Sequence, residues 1–234
     1  PGYRDLFGAR EALADIAVMD APSDDPIKVR AYRTADETSL QFRFKLYREG
    51  EPAPLSDFMP ILENMGLKGL IEEGLEVHRQ TPDGADQVVW VHDVLLQDDR
   101  GEHLVFDEVK APFETAFLAV WAGRTGNDGF NRLVLELGIP WREAALVRAL
   151  ARYRQQSGLD PGQAVQTAAL SQFPGVARLI LDLFRTKFDP ALGARLEARD
   201  SQAEEVFGRI VEALQEVASL DHDRVLRRLA LLVR

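Results

Sequence analysis

The 234-residue chain is 46% hydrophobic and 28% charged, a balance that fits a soluble globular protein and excludes a disordered one. It has no cysteine, which excludes disulfides and thiolate metal sites and agrees with a reducing cytoplasmic location. The formal charge of −10 is uneven: residues 1–126 hold 24 acids and 13 bases, and residues 127–234 hold 14 and 15, so neither half offers nucleic acid a basic surface.

In chain order, residues 1–25 are expected to form an N-terminal helix, near 9–19, and a linker. Ile27, Val29 and Ala31 then alternate with Lys28, Arg30 and Tyr32, and Leu40, Phe42, Phe44 and Leu46 alternate with Gln41, Arg43, Lys45 and Tyr47. Such alternation predicts two strands of a hairpin with one wet face. Leu55, Phe58, Ile61, Leu62 and Met65 share a helical face that Gly66 ends, with Pro60 tolerable only near the first turn or at a kink. Residues 67–79 and 87–96 form a second hairpin. Pro112 is expected to open a helix whose inner face holds Phe113, Ala116, Phe117, Val120 and Trp121, closed by Gly123. From Leu40 to Gly123 the order is strand–helix–strand–strand–helix, most of the ferredoxin-like βαββαβ plan, without an obvious closing strand.

After a boundary near 123–127 nothing reads as a strand. Helices are expected near 128–137, 141–157, 162–172, 175–187, 190–198, 202–218 and 222–234. Gly138 ends the first and Pro140 begins the second, whose inner face is read as Ala145, Leu146, Ala149, Leu150 and Tyr153. No run approaches the roughly 20 apolar residues that span a bilayer, and no signal-peptide pattern opens the chain. The chain starts Pro1-Gly2 without methionine and stops at Arg234 inside a helical pattern, which reads as a fragment. Leu229, Leu232 and Val233 of that last helix are expected to be partly uncovered and to favour self-association.

Candidate chemistry is sparse. The run from Gly123 to Gly129 lacks the Gly-Lys-Ser/Thr ending of a phosphate loop and follows a helix, so it reads as an interdomain hinge. His78, His92, His103 and His222 have no metal-ligand spacing and are expected at or near the surface; His92 and Asp93, adjacent on a strand, face opposite ways. Arg142 falls within the inner face assigned to its helix. A guanidinium there needs a buried carboxylate, expected from the helix around Glu204, unless its long stem reaches solvent. No catalytic residue, cofactor-binding residue or metal ligand is assigned.

The string from Asp128 to Gln156, with Phe130-Asn131-Arg132-Leu133 and Trp141-Arg142-Glu143, and the string from Phe173 to Pro190 resemble the large bacterial NAD-specific glutamate dehydrogenases. The resemblance implies an ACT-like module over residues 26–126 and a helical segment over 127–234, upstream of the catalytic domains. The fold class expected is therefore α+β, an ACT-like antiparallel sheet module followed by an all-α bundle. It implies a parent that oxidatively deaminates L-glutamate to 2-oxoglutarate and ammonia with NAD, while this segment is non-catalytic and binds no cofactor. Partners expected are the parent's other domains and subunits, with an amino-acid effector and a second copy of the chain as further candidates. Phe130, Asn131, Arg132, Trp141, Arg142 and Glu143 are the structural or interface candidates. ACT modules often bind amino acids near the loop from first strand to first helix, which here contains Arg48 and Gly50. The family-typical Asp-x-Pro-Gly is missing from that loop. The alternative is a stand-alone ACT-like regulatory or scaffold protein without enzymatic activity; a complete small hydrolase or transferase has no catalytic constellation behind it.

Overall fold

A computed structural model of the chain describes residues 2–81, 83–101, 104–156, 158, 160–192 and 196–234. It divides into two compact units, one up to Asp128 and one from Gly129. In the first, helices Tyr3–Leu6 (α1) and Ala9–Asp20 (α2) precede strands Lys28–Tyr32 (β1) and Gln41–Glu49 (β2). Helix Leu55–Asn64 (α3), strands Leu67–Gln80 (β3) and Asp86–Asp98 (β4), and helix Phe106–Trp121 (α4) follow. The sheet runs β1-β2-β4-β3, and every neighbouring pair is antiparallel. The closing strand missing after Gly123 has a substitute: β1, from the N-terminal side, occupies the edge beside β2. Glu114 of α4 meets that edge, accepting the Ala31 N–H at 2.6 Å.

The alternation in β2 decides what each face packs against. Phe42, Phe44 and Leu46 point with Val94 and Leu96 of β4 toward α3 and α4. There the Phe42 and Phe113 rings lie 5.3 Å apart and Phe44 and Phe117 4.7 Å apart. Each of these side chains is essentially without solvent contact, and burying one such side chain contributes about 1.5–3 kcal/mol. The other face was expected to be wet and is not. Helices α1 and α2 cover it, with Met19 packed among Tyr47, Leu75, Val89 and Val91 and flanked by Leu6, Phe7 and Val18. Lys45 is 0% exposed and Tyr47 2%. One local expectation also shifts: α4 begins six residues before Pro112, which sits inside it.

The second unit is helical throughout its described residues. A 3-10 turn, Gly129–Asn131, leads into Arg132–Leu137 (α5), which Gly138 ends at a left-handed φ of 60°. Then come Trp141–Gln156 (α6), Gln163–Gln172 (α7), Pro174–Phe188 (α8), Leu196–Ala213 (α9) and Leu220–Val233 (α10). The helices expected at 190–198 and 202–218 are replaced by one, α9, flanked by short 3-10 turns. Helix α6 is rotated from the expected setting: Ala144, Val147, Arg148 and Ala151 face inward, while Ala149 and Tyr153 are exposed. The last helix also differs from expectation. Leu229 and Val233 are 1% and 2% exposed, Leu232 is half-buried, and α10 packs on α7 and α8 of its own unit. Of the three residues expected to be partly uncovered, only Leu232 is.

Candidate functional site

The most concentrated chemistry in the first unit lies between α2 and the sheet. Glu11 and Asp15 are four residues apart, so they project from the same side of α2. Opposite them, Arg30 of β1 and Lys45 of β2 are cross-strand partners on one face. Asp15, 0% exposed, accepts from Lys45 Nζ at 2.5 Å, Tyr3 Oη at 2.5 Å, Tyr47 Oη at 2.7 Å and Arg30 Nη2 at 2.9 Å. Glu11 pairs with the same Arg30. The Lys45 ammonium also lies 3.6 Å from the centre of the Phe7 ring, a cation–π contact. Burial alone would raise the Asp15 carboxyl; the bonds from Lys45, Tyr3 and Tyr47 outweigh it and hold it below its ordinary range. Desolvation first, and then the Asp15 carboxylate, push Tyr3 and Tyr47 far above a normal phenol.

One row along, Asp93 of β4 is also 0% exposed. Its Oδ2 accepts from Tyr32 Oη at 2.9 Å and from Arg43 Nη1 at 2.8 Å, while its buried Oδ1 has no partner. Burial dominates there and raises the Asp93 carboxyl despite Arg43 and Lys45. On the opposite face His92, expected at or near the surface, is buried. Its Nε2 accepts the Ala53 N–H at 3.1 Å, which leaves Nδ1 to donate to Glu72 at 2.7 Å. His92 and Asp93 do face opposite ways, as their adjacency on a strand requires. His103 lies outside the described residues.

The arrangement is suited to fastening an N-terminal helix onto a sheet. It offers no nucleophile beside a base. Among the described residues no three His, Cys, Asp or Glu side chains are gathered for a metal ion. The sheet is antiparallel among the described residues, and the glycine-rich run from Gly123 follows α4, where the loop of a nucleotide fold follows a strand. No helix among the described residues is long and apolar enough to cross a membrane.

The residues singled out from the sequence are distributed as follows. Arg48 lies in the wall of a cavity of about 240 Å³ that Lys28 and Tyr47 also line, and its guanidinium donates to the Pro52 carbonyl at 3.3 Å. Gly50 turns the chain beside it at a φ of 78°. In the second unit Phe130 and Asn131 are buried, and Asn131 Oδ1 accepts from Arg148 Nη2 at 2.6 Å. Arg132 lies 3.8 Å from Glu136, one turn on. Glu143 pairs with Arg185, so the structure joins two of the stretches quoted above. Trp141 is only half-buried. Arg142 is exposed and stacks over the Trp141 ring at 4.6 Å, so the buried ion pair expected of it is absent and Arg148 is the inward arginine. Asp160, missed by the sequence reading, is clamped by Arg154 at 2.9 Å and Arg228 at 2.8 Å. The missed signal in the first unit was complementarity: two acids on one side of α2 and two bases alternating on the strands.

Comparison with known proteins adds the family. Residues 26–109 match the family described as "Glutamate dehydrogenase, ACT3 domain", and residues 125–190 match "Glutamate dehydrogenase, helical motif 3". The NAD-specific glutamate dehydrogenase of Halomonas elongata is 34% identical over 99% of this chain, and that of Pseudomonas aeruginosa 33% over 97%. The enzyme of the same name from Mycobacterium tuberculosis is 30% identical over 99%. The chain spans 14% of the length of each of these relatives. With an antiparallel α+β module where the ACT3 match lies and helices where the helical motif lies, the chain is similar over nearly its whole length to the segment of the large NAD-specific glutamate dehydrogenases that carries both.

Proposed function

We propose that this chain is a non-catalytic, regulatory or structural segment of a large NAD-specific glutamate dehydrogenase, upstream of its catalytic domains. The parent would oxidatively deaminate L-glutamate to 2-oxoglutarate and ammonia, with NAD bound elsewhere in the polypeptide, in the cytoplasm. One observation carries this reading: nearly the whole chain aligns within 14% of its relatives' length, and the regions matched are an ACT3 domain and a helical motif. The antiparallel sheet, which lacks a dinucleotide crossover, supports it. The segment's task is packing against other domains or subunits of the parent, and its ACT-like module can carry an effector signal through the strand–helix loop with Arg48 and Gly50. Arg132, Trp141, Arg142 and Glu143, which keep some exposure, serve that packing, while the buried Phe130 and Asn131 hold the helical unit itself together.

The natural reading frame tests the proposal. A frame many times this length, with a glycine-rich lysine motif downstream, is the expected result. A frame that ends near Arg234 would instead favour a stand-alone regulatory or scaffold protein.

A further inference from the structure

The sheet has two outer edges, and they differ. At one, β1 is 5 residues long, and Glu114 of α4 accepts the outward N–H of Ala31. At the other, β3 is 14 residues long, and no further strand pairs with it among the described residues. The β3–β4 hairpin shows which backbone groups of β3 look outward. Thr81 N–H donates to the Ala85 carbonyl at 2.9 Å, directly across the ladder. Bonded pairs alternate along an antiparallel ladder, so Glu73, Leu75, Val77 and Arg79 bond to β4. Glu72, Gly74, Glu76, His78 and Gln80 turn their N–H and C=O groups away from it. All of these except Glu72 are exposed. Such an open line of donors and acceptors is a template for another strand.

The strand is complementary to itself. Antiparallel pairing about a twofold axis at Glu76 sets Glu73 opposite Arg79 of a second copy and Leu75 opposite its Val77, each twice. Both pairs lie on the face under α1 and α2, where Leu75 and Val77 already pack with Met19. Arg79 gives its Nη2 to Asp20, and Nη1 remains for the second copy's Glu73. The one like-charge contact is Glu76 against Glu76, and each of these holds its own His78 at 2.9 Å. Moving the axis loses the match. Centred on Leu75 it opposes Glu73 to Val77, and centred on Val77 it opposes Leu75 to Arg79.

We propose that the β3 edge pairs with the same edge of a second copy of this chain. Two four-stranded sheets then join into one antiparallel sheet with its twofold axis at Glu76. The outward residues exchange about ten backbone hydrogen bonds across the axis, two for each bonded pair. The contact gives a specific form to the subunit packing proposed above. It is assigned from this chain's own residues and does not depend on what the parent catalyses.

Sedimentation equilibrium of the purified chain tests it, with melting curves to show that each variant folds. The expected result is a monomer–dimer equilibrium with a dissociation constant below about 100 μM. Glu76→Pro removes an N–H that serves no bond in the chain's own sheet, and edge strands tolerate proline. It should keep the melting temperature of the unaltered chain and abolish the dimer. Glu73→Lys opposes two cations at both ends of the contact and should weaken it by about tenfold. Glu76→Gln should tighten it. General repulsion predicts tightening for both, since each makes the net charge of −10 less negative. The chain has no cysteine, so Glu76→Cys sets one thiol opposite its own copy. A short bis-maleimide should couple it, and should not couple Gln80→Cys, whose two copies lie about 27 Å apart. The proposal is overturned by a monomer at about five times that dissociation constant or by a dimer that survives Glu76→Pro. Undiminished dimerisation of Glu73→Lys, or equal coupling of the two thiols, would also overturn it.

Discussion

The two units bury charge in different ways. In the sheet unit, one carboxylate on α2, Asp15, gathers four donors contributed by α1, β1 and β2. It thereby fixes which helix covers the polar face of the sheet, while the face under α3 and α4 is packed mainly by apolar side chains, with Glu114 and the His92–Glu72 pair as polar contacts toward its margins. In the helical unit, buried charge sits singly where neighbouring segments meet: Arg148 with Asn131, and Asp160 between Arg154 and Arg228. The difference teaches where specificity comes from. Apolar faces find each other by area, but a face that carries lysine and arginine accepts only a helix with acids at matching heights.

Breaking Asp15 should have the largest effect. Asp15→Ala leaves the buried Lys45 with only the longer pairing to Glu11 at 3.8 Å, a change that costs about 3–5 kcal/mol, read as a lower urea midpoint. The double variant Asp15→Leu with Lys45→Met should recover much of that loss, because apolar replacement of a buried pair is often neutral. The same aspartate carries acid sensitivity. Its folded pKa lies below the ordinary 3.8, so its contribution is present above that value and is lost as pH falls through the lower folded one. Asp93 and Glu114 are raised and act in the opposite sense, losing stability as pH rises through their folded values. The loss specific to Asp15 is therefore read as the difference between the parent chain and Asp15→Asn over the acid range.

In the helical unit the expected effects are smaller. Arg148→Ala should cost about 2–3 kcal/mol, the range for a buried charged hydrogen bond. Trp141→Ala should cost about 1–2 kcal/mol, short of the roughly 3–5 kcal/mol for a fully buried aromatic, because half its surface is already wet. Arg142→Ala should stay within about 0.5 kcal/mol, as surface changes do. If Arg142→Ala proved more damaging than Arg148→Ala in denaturant midpoints, the rotation of α6 described above would be wrong.

Much of this fold was legible in the sequence because large apolar residues recur without ambiguity. Phe42, Phe44 and Leu46 on β2, and Val225, Leu226 and Leu229 on α10, leave one choice of buried face. Legibility failed where contrast was low. Helix α6 is rich in alanine, so a face through Ala145 and Ala149 reads almost as well as the true one through Ala144 and Val147. It failed again where a polar residue is buried by a distant partner. Lys45 in an alternating strand looks solvent-facing, and only pairing it with Asp15, thirty residues earlier, shows otherwise. The unpartnered oxygen of Asp93 left no trace in the sequence, since it depends on which strands are neighbours.

The functional account rests on the claim that the chemistry of the parent lies outside this chain. Purified chain mixed with L-glutamate and NAD, beside a full-length relative at equal molarity, tests that claim by NADH absorbance. The account predicts a steady rise with the full-length enzyme and none above a buffer blank with the chain. Glutamate-dependent NADH formation by the chain alone would contradict it.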